Sequence, residues 1–313
     1  PEMSFGGRKV QDLRYGENPN QKAQWYSFAG DDKGLHTARV IQGKELSYNN
    51  ILDLEAASLL VKEFADPAAV AVKHNNPCGV AFSGTLVSAV EKMLTADPVS
   101  VFGGIVALNR EVTESEAESL SKVFLECIVA PKFSEGSLAI FAKKKNLRLL
   151  EWPNLLTCAR DHEIRTLAGG FLVQSVQNLG SDVSHWKFLG EVPTGTVLED
   201  LIFAEKVCAS LKSNAIAIVK DGQTLGLGMG QVNRVEAVQH AVTRMRSHHS
   251  LKERTILASD AFFPFPDSIE KACEAGVKWI IQPGGSMRDE EVFAVAKRLN
   301  VNMVLTGERH FRH

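Results

Sequence analysis

Short apolar runs alternate with stretches of helical period along most of the chain, and this alternation predicts an α/β protein. The carboxyl end shows it most clearly. Residues 254–259 are apolar and β-branched enough for a strand. Asp267-Ser268-Ile269-Glu270 has the form of a capping box with Asp267 as N-cap. The helix it opens runs to about Ala275, and Gly276 stands where a C′ glycine closes a helix. A strand over 277–281 ends at Pro283-Gly284-Gly285. Val292, Val295, Ala296 and Leu299 share one face of a helix over 289–299, and 302–305 is a last strand. Such short connections predict a parallel sheet with right-handed crossovers. The segments 260–265, 282–286 and the tail from Thr306 then share one sheet edge, a candidate pocket.

The first half repeats the alternation less cleanly. A helix over 51–64 precedes an apolar strand over 67–72, and Asn76-Pro77-Cys78-Gly79 has the composition of a type I turn leading to a helix over 84–94. Lys73 and His74 then stand at a strand's carboxyl end, where open α/β sheets bind ligands. Residues 100–108 read as a buried strand, 114–124 as a helix and 127–130 as a strand. Lys143-Lys144-Lys145-Asn146 reads as a solvated hairpin between apolar strands. Between 152 and 185 the pattern turns irregular and polar, and 180–192 reads as a surface loop. The expected division is 1–165, carrying Lys73 and His74, and 166–313, carrying Asn214, Arg234 and the Phe262–Phe265 segment. No self-similar period is visible.

The 313 residues suggest about two domains, and 44% hydrophobic with 23% charged residues is an ordinary globular composition. A net charge of −2 gives no footprint for nucleic acid. No stretch approaches the ~20 apolar residues of a membrane span, so no membrane partner is expected. The chain opens on Pro1 rather than Met, as a fragment or processed chain does. Its five cysteines are scattered, without a CxxC pair or zinc-ligand spacing. Reduced thiols, a cytoplasmic location and no zinc are the expectation.

Candidate chemistry is sparse. Lys73-His74 is a catalytic pair or a structural one. Gly226-Leu227-Gly228-Met229-Gly230 resembles a phosphate loop, but Gln231 stands where the dinucleotide fingerprint needs glycine, and no Walker Lys-Ser/Thr follows. Those glycines form a tight hairpin or let the backbone approach a ligand. Arg234 at a helix start suits an anion. Phe262, Phe263 and Phe265 either plug the core or sandwich a flat heterocycle. The loop 14–21 reads as a solvated turn, and His240, His248 and His249 as surface or helix-end residues.

Six segments together resemble one family: Leu13-Arg14-Tyr15-Gly16-Glu17-Asn18-Pro19, Lys73-His74-Asn75-Asn76-Pro77-Cys78-Gly79, Arg165-Thr166-Leu167, Lys212-Ser213-Asn214-Ala215, Gly228-Met229-Gly230-Gln231-Val232-Asn233-Arg234, and Ser259-Asp260-Ala261-Phe262-Phe263-Pro264-Phe265. It is the AICAR transformylase part of the bifunctional purine biosynthesis proteins, in its bacterial form. The resemblance implies transfer of the formyl group of 10-formyltetrahydrofolate to the 5-amino group of AICAR (5-aminoimidazole-4-carboxamide ribonucleotide), giving FAICAR and tetrahydrofolate in purine (IMP) biosynthesis. It implies a cytidine-deaminase-like three-layer α/β fold, duplicated in tandem, and a homodimer with sites at the subunit interface. The IMP cyclohydrolase domain, amino-terminal in this family, is expected to be absent from this chain. Zinc deaminases of that topology carry P-C-x-x-C, whereas Pro77-Cys78 has no second Cys at that spacing.

Carried over position by position, the resemblance makes Lys73, His74 and Asn214 catalytic. It makes Arg14, Tyr15, Phe102, Gly103, Glu126, Arg234, Phe262, Phe265, Asp267, Arg309, Phe311 and His313 substrate-binding. A monovalent cation, K+, is placed near Asp260. Glu126 stands where some relatives have Asp, and Arg312 where some have His. An imidazole, which ordinarily titrates near ~6.5, suits the base that takes the amine proton. The ammonium of Lys73 suits the developing oxyanion. Arg14 and Arg234 are expected on the nucleotide phosphate. A nucleotide-binding module without catalysis and a zinc deaminase are the alternatives.

Overall fold

Apolar runs too short for helices form one twelve-stranded mixed sheet in the computed structural model, which describes residues 2–250 and 254–313. An arm comes first, β1 (Gly7–Leu13) antiparallel to β2 (Ala23–Phe28). There follow β3 (Arg39–Gln42), α1 (Tyr48–Val61), β4 (Ala68–Lys73), β5 (Asn76–Phe82), α2 (Leu86–Ala96), α3 (Pro98–Val101), β6 (Ile105–Leu108), α4 (Glu114–Ser121), β7 (Cys127–Ala130), α5 (Glu135–Phe141) and β8 (Arg148–Glu151). A second arm pairs β9 (His162–Leu167) with β10 (Gly170–Ser175). The rest comprises β11 (Lys187–Leu189), α6 (Gly195–Ser210), β12 (Ile216–Lys220), β13 (Gln223–Gly228), α7 (Arg234–His248), β14 (Thr255–Ser259), α8 (Asp267–Glu274), β15 (Val277–Gln282), α9 (Asp289–Arg298) and β16 (Asn302–Leu305).

The strand order is β11-β16-β15-β14-β12-β13-β5-β4-β6-β7-β8-β3. Each half has an antiparallel hairpin (β4–β5, β12–β13), an antiparallel step (β4–β6, β12–β14), two parallel steps and an antiparallel edge strand (β3, β11). The halves meet where β13 pairs β5 antiparallel at Gln223 and Ala81. The parallel pairing expected of the carboxyl-terminal strands is found in β14–β15–β16, and β6–β7–β8 repeat it in the first half. The expected boundary at 165/166 falls inside β9, in the arm between the half-sheets.

Alternating side chains feed different layers, as the period of two in a strand requires. Val70 and Val72 join a core under α1 and α6 that spans both halves, while Ala69 and Ala71 face α2 and α4. Ile216 and Ile218 face α7 and α8. The sheet thus has helices on both sides, and β4 is buried along residues 68–72, as an inner strand covered on both faces must be.

Several expected elements differ. Asn76–Gly79 is not a turn but the start of β5; the turn is His74-Asn75, with φ of 52° and 61°. Two positive φ values make a type I′-like hairpin turn, whose twist matches that of the paired strands. Of the strand expected over 100–108, residues 100 and 101 instead end helix α3, because Pro98 sits at the first helical position and the Asp97 carboxylate caps Ser100 N at 2.9 Å. The lysine run follows helix α5, so it is a helix–strand connection, not a hairpin. Asp267 is the first helical residue rather than the N-cap, which is Pro266. The 180–192 loop contains β11, whose pairing with β16 gives it a structure its polar sequence hides. Gly226 and Gly228 lie within β13: a Cβ there would come 2.0 Å from Ala241 O and Ala237 O, so these glycines serve the close approach of α7. The predicted C′ glycine, Gly276, does adopt a positive φ of 86°.

Candidate active site

The antiparallel steps decide which ends meet. Ile105 lies opposite Val72, and Ile216 lies opposite both Ser259 and Gly228. One sheet edge therefore gathers the Lys73–Asn76 turn, the amino ends of β6–β8 and the carboxyl ends of β14–β16. The Lys73 strand end is thus not at the carboxyl edge of its own parallel trio but opposite it.

On this edge Lys73 pairs Asn76 across the turn. The carboxylate of Asp53, from α1, accepts the main-chain N–H of Asn75 at 2.6 Å and of His74 at 3.3 Å. Burial raises the Asp53 carboxyl above the ordinary 3.8, and these two backbone bonds oppose the rise. Asn76 Nδ2 donates to His74 O at 3.1 Å, and its Oδ1 accepts Lys212 N at 3.1 Å, which ties the turn to the segment before Asn214. The His74 side chain points outward. Lys73 Nζ donates to Phe102 O at 2.8 Å, leaving two ammonium protons for a ligand. Phe102 is 56% exposed, with its ring 5.4 Å from that of Phe124. Gly103, at φ 75°, donates to Phe124 O at 2.7 Å. Glu126, half-buried just before β7, accepts Asn50 Nδ2 at 3.0 Å.

Asn214 lies across the edge. Its Oδ1 accepts Arg234 Nη2 at 2.7 Å and its Nδ2 donates to Gln231 O at 2.8 Å. The Arg234 side chain is 5% exposed, and it pairs with Asp260, itself 0% exposed, while Nη1 also donates to Ser259 Oγ at 2.8 Å. Ser213 Oγ donates to the other Asp260 oxygen at 2.6 Å. Arg234, expected on a phosphate, is thus engaged in a buried ion pair and holds the Asn214 amide. Both Asp260 oxygens are engaged, and among the described residues no group of three or more His, Cys, Asp or Glu side chains is arranged to hold a metal ion.

The tail is bound to the same segment. Ser213 N donates to Arg312 O at 2.9 Å, and Arg312 N to Ser213 Oγ at 3.0 Å. The main-chain oxygen of His313 accepts Lys212 Nζ and Arg165 Nη2, each at 2.7 Å. The Arg309 guanidinium lies 4.5 Å from the Phe311 ring centre, which is 5.7 Å from that of His313. Phe263 is buried, whereas Phe262 and Phe265 face outward, with Arg288 4.8 Å from the Phe265 ring centre. One of the three phenylalanines thus plugs the core and two remain for a ligand. Asp267 is exposed and accepts Ser268 N at 2.8 Å. Arg14 and Tyr15 sit in the loop after β1, the guanidinium 5.8 Å from the Tyr15 ring centre. That loop is tethered to α1 by a 3.2 Å bond from Asn49 Nδ2 to Glu17 O, beside the Asn50 that holds Glu126.

Lys73, His74 and Asn76 line a cleft of about 190 Å³ with Cys78, Asp97, Ser100, Met229 and Arg244. Burial pushes the Cys78 thiol up to about 12, so it offers no thiolate at neutral pH. A second cleft, of about 320 Å³, is lined by Phe311, Arg312, His310, Lys62 and Arg160. Sequence reasoning missed Asp53, Lys212, Ser213 and Gln231. Asp53 had a visible signal: a carboxylate within a largely apolar helix, 21 residues before the turn it caps, just as Asp200 stands 21 residues before Asp221.

The profile of the AICARFT/IMPCHase bienzyme family matches residues 1–244. Similar curated proteins are the bifunctional purine biosynthesis proteins PurH of Caldicellulosiruptor saccharolyticus (48% identical over 97% of this chain and 59% of that protein) and of a Synechocystis strain (49%, over 100% and 61%). That of a Thermoanaerobacter strain is 46% identical over 99% of this chain and 60% of its own. The chain spans about three-fifths of the length of these relatives. A dCMP deaminase from the cyanophage S-TIM5 aligns with 34% of this chain and 93% of its own, at 18% identity and a TM-score of 0.25, too low to carry an argument. On the family profile, this chain belongs to the AICARFT/IMPCHase bienzyme family.

Proposed function

We propose that this chain is an AICAR formyltransferase (phosphoribosylaminoimidazolecarboxamide formyltransferase), moving the formyl group of 10-formyltetrahydrofolate to the 5-amino group of AICAR. The observation that carries the reading is the Lys73–His74 turn, braced from behind by Asp53 and open in front to a cleft. The AICAR amine is a weak nucleophile, because its lone pair is conjugated with the ring and carboxamide. As its nitrogen bonds to the formyl carbon, His74 takes a proton from it. The two free ammonium protons of Lys73 stabilise the oxyanion and one serves the folate N10 as the carbon–N10 bond breaks. Asn214, its amide held between Arg234 and Gln231, orients the substrate carboxamide or His74. Arg234 acts here as a positioning residue rather than as a phosphate ligand.

Phe102, Gly103, Phe262 and Phe265 suit the flat rings of folate and imidazole, and Phe102, Phe262 and Phe265 present exposed aromatic faces. Glu126 suits the ribose hydroxyls. Arg14, Tyr15, Asp267, Arg309, Phe311 and His313 complete the substrate-binding set. We read the enzyme as a homodimer, its partner completing a cleft that at about 190 Å³ is below the usual ~300–1,000 Å³ of ligand sites. The exposed Phe28, Phe171 and Leu172 on the two arms suit such an interface. We read the matched half-sheets as a tandem duplication of a cytidine-deaminase-like unit, divided near 165/166, and place the enzyme in the cytoplasm. The K+ expected near Asp260 would meet a carboxylate whose two oxygens are already engaged by Arg234 and Ser213.

The test is to mix purified chain, AICAR and 10-formyltetrahydrofolate and follow tetrahydrofolate. Formation is expected, and His74→Ala should slow it by about 10²-fold or more. Nucleotide binding without tetrahydrofolate would leave only a binding module. Turnover of His74→Ala within a few-fold of wild type would remove His74 from the mechanism.

A further inference from the structure

We propose that Asp53 is a positioning residue: its carboxylate, by accepting both N–H groups of the His74-Asn75 turn, holds the His74 imidazole in its working direction. The inference rests on the role given to His74 above. It deepens that reading by naming what aims the base.

The argument starts from the backbone. Both central residues of the turn have positive φ, at 52° and 61°, and neither is glycine. Residues other than glycine visit this region uncommonly, and even asparagine and histidine, which do so more than most, do so at a steric cost. A turn of this kind needs an outside brace. Asp53 supplies it from α1, with bonds of 3.3 Å to His74 N and 2.6 Å to Asn75 N. Because a side chain leaves its Cα in a direction set by φ and ψ, the two bonds that pin the turn also set where the imidazole starts. Lys73 is held separately by Phe102 O, so the clamp acts on His74 rather than on the pair.

The molecule contains its own control. At the Lys220–Gln223 turn, Asp200 of α6 accepts Asp221 N and Gly222 N, both at 2.7 Å. Asp221 and Gly222 have φ of 52° and 69°, the same backbone. That turn carries no imidazole and lies on the opposite sheet edge, where Phe82 N donates to Gly222 O at 2.9 Å. Removing the clamp there tests the cost of losing it without any effect on the base.

The experiment compares Asp53→Asn with Asp200→Asn in the full chain. Asparagine keeps the shape but turns one acceptor oxygen into a donor facing an N–H. Asp53→Asn is expected to lower kcat about 10- to 100-fold, the scale of a misaimed catalytic group, with the AICAR KM changed less than about threefold. Asp200→Asn should keep kcat within about twofold while losing comparable stability. Adding Asn75→Gly to Asp53→Asn should restore much of kcat, because glycine takes a positive φ at no steric cost and so relieves the turn of its need for the brace. Side-chain NMR of the nine histidines reads the geometry independently of turnover: the His74 ring resonance should move in Asp53→Asn and stay in Asp200→Asn. A kcat of Asp53→Asn within twofold of wild type, equal losses in the two variants, or an unmoved His74 ring overturns the proposal. Wild-type chain without turnover would overturn the formyltransferase reading instead, and the ring resonance would still decide the role of Asp53.

Discussion

The turns of β4–β5 and β12–β13 share a backbone and differ in what they present. Both begin with lysine, Lys73 and Lys220, paired across the turn with Asn76 and Gln223. In each, the register slips just before the last two pairs, between Ala71 and Val72 and between Ile218 and Val219. Each is capped by an aspartate of the preceding helix. Each returning strand carries a glycine under the next helix, where a Cβ would meet Met93 O at 2.6 Å or Ala241 O at 2.0 Å. The first turn shows Lys73 and His74 to a cleft; the second shows Asp221-Gly222 to α2, where Lys92 Nζ donates to Asp221 O at 2.6 Å. The difference teaches that the clamped hairpin is a platform, and that function depends on two side chains and on which edge stays open.

Four measurements would break or sharpen that comparison. The largest effect is expected from the paired lysines: Lys73→Ala should lower formyl transfer by about 10³-fold, and Lys220→Ala by less than about twofold. Similar losses at both positions would mean that the hairpins are not functionally distinct. Next comes Arg234→Ala, which strands the buried Asp260 carboxylate and releases Asn214. Urea unfolding should show a loss of about 3–5 kcal/mol, the usual cost of breaking a buried ion pair from one side. An unchanged midpoint would contradict the burial of this pair.

A smaller and more even effect should follow from the glycines. Gly79→Ala and Gly226→Ala each force a helix away from its strand, at about 1–3 kcal/mol apiece by thermal unfolding. A cost confined to one half would show that the helix packing is not shared.

The smallest effect concerns acid. Burial raises the carboxyls of Asp53 and Asp200 above 3.8 in the folded chain, so folding favours their protonated forms. The stability this adds is present in full below 3.8 and is lost as pH rises through the folded-state values. The stability gap between wild type and Asp200→Asn should therefore be widest at the acid end of a series over about pH 3–6 and narrow upward. A gap that widens upward would reverse the sign.

Much of this was legible beforehand. The carboxyl-terminal strands and helices appear where periodicity put them, because β14–β16 and α8–α9 are each bounded by local punctuation such as Gly276 and Pro283-Gly284-Gly285. The amino-terminal hairpin misled for a local reason: Asn76-Pro77-Cys78-Gly79 has turn composition but sits in β5, while the turn uses a histidine that composition does not favour. Where the candidate site residues lie was legible only in part. Lys73 and His74 line the cleft and Phe102 O holds the Lys73 ammonium, whereas Arg234 is withdrawn into the interior.

What the sequence determined by itself was the α/β alternation, the balance of charge that disfavours a polyanion, and the segments that mark the family, since all of these lie in contiguous residues. What only the tertiary structure decided was which ends of the strands meet, that Asp53 braces the His74 turn, and that Arg234 holds Asn214. Those contacts join residues 20 or more positions apart. Strand sense and long-range pairing create them, and no local pattern encodes either.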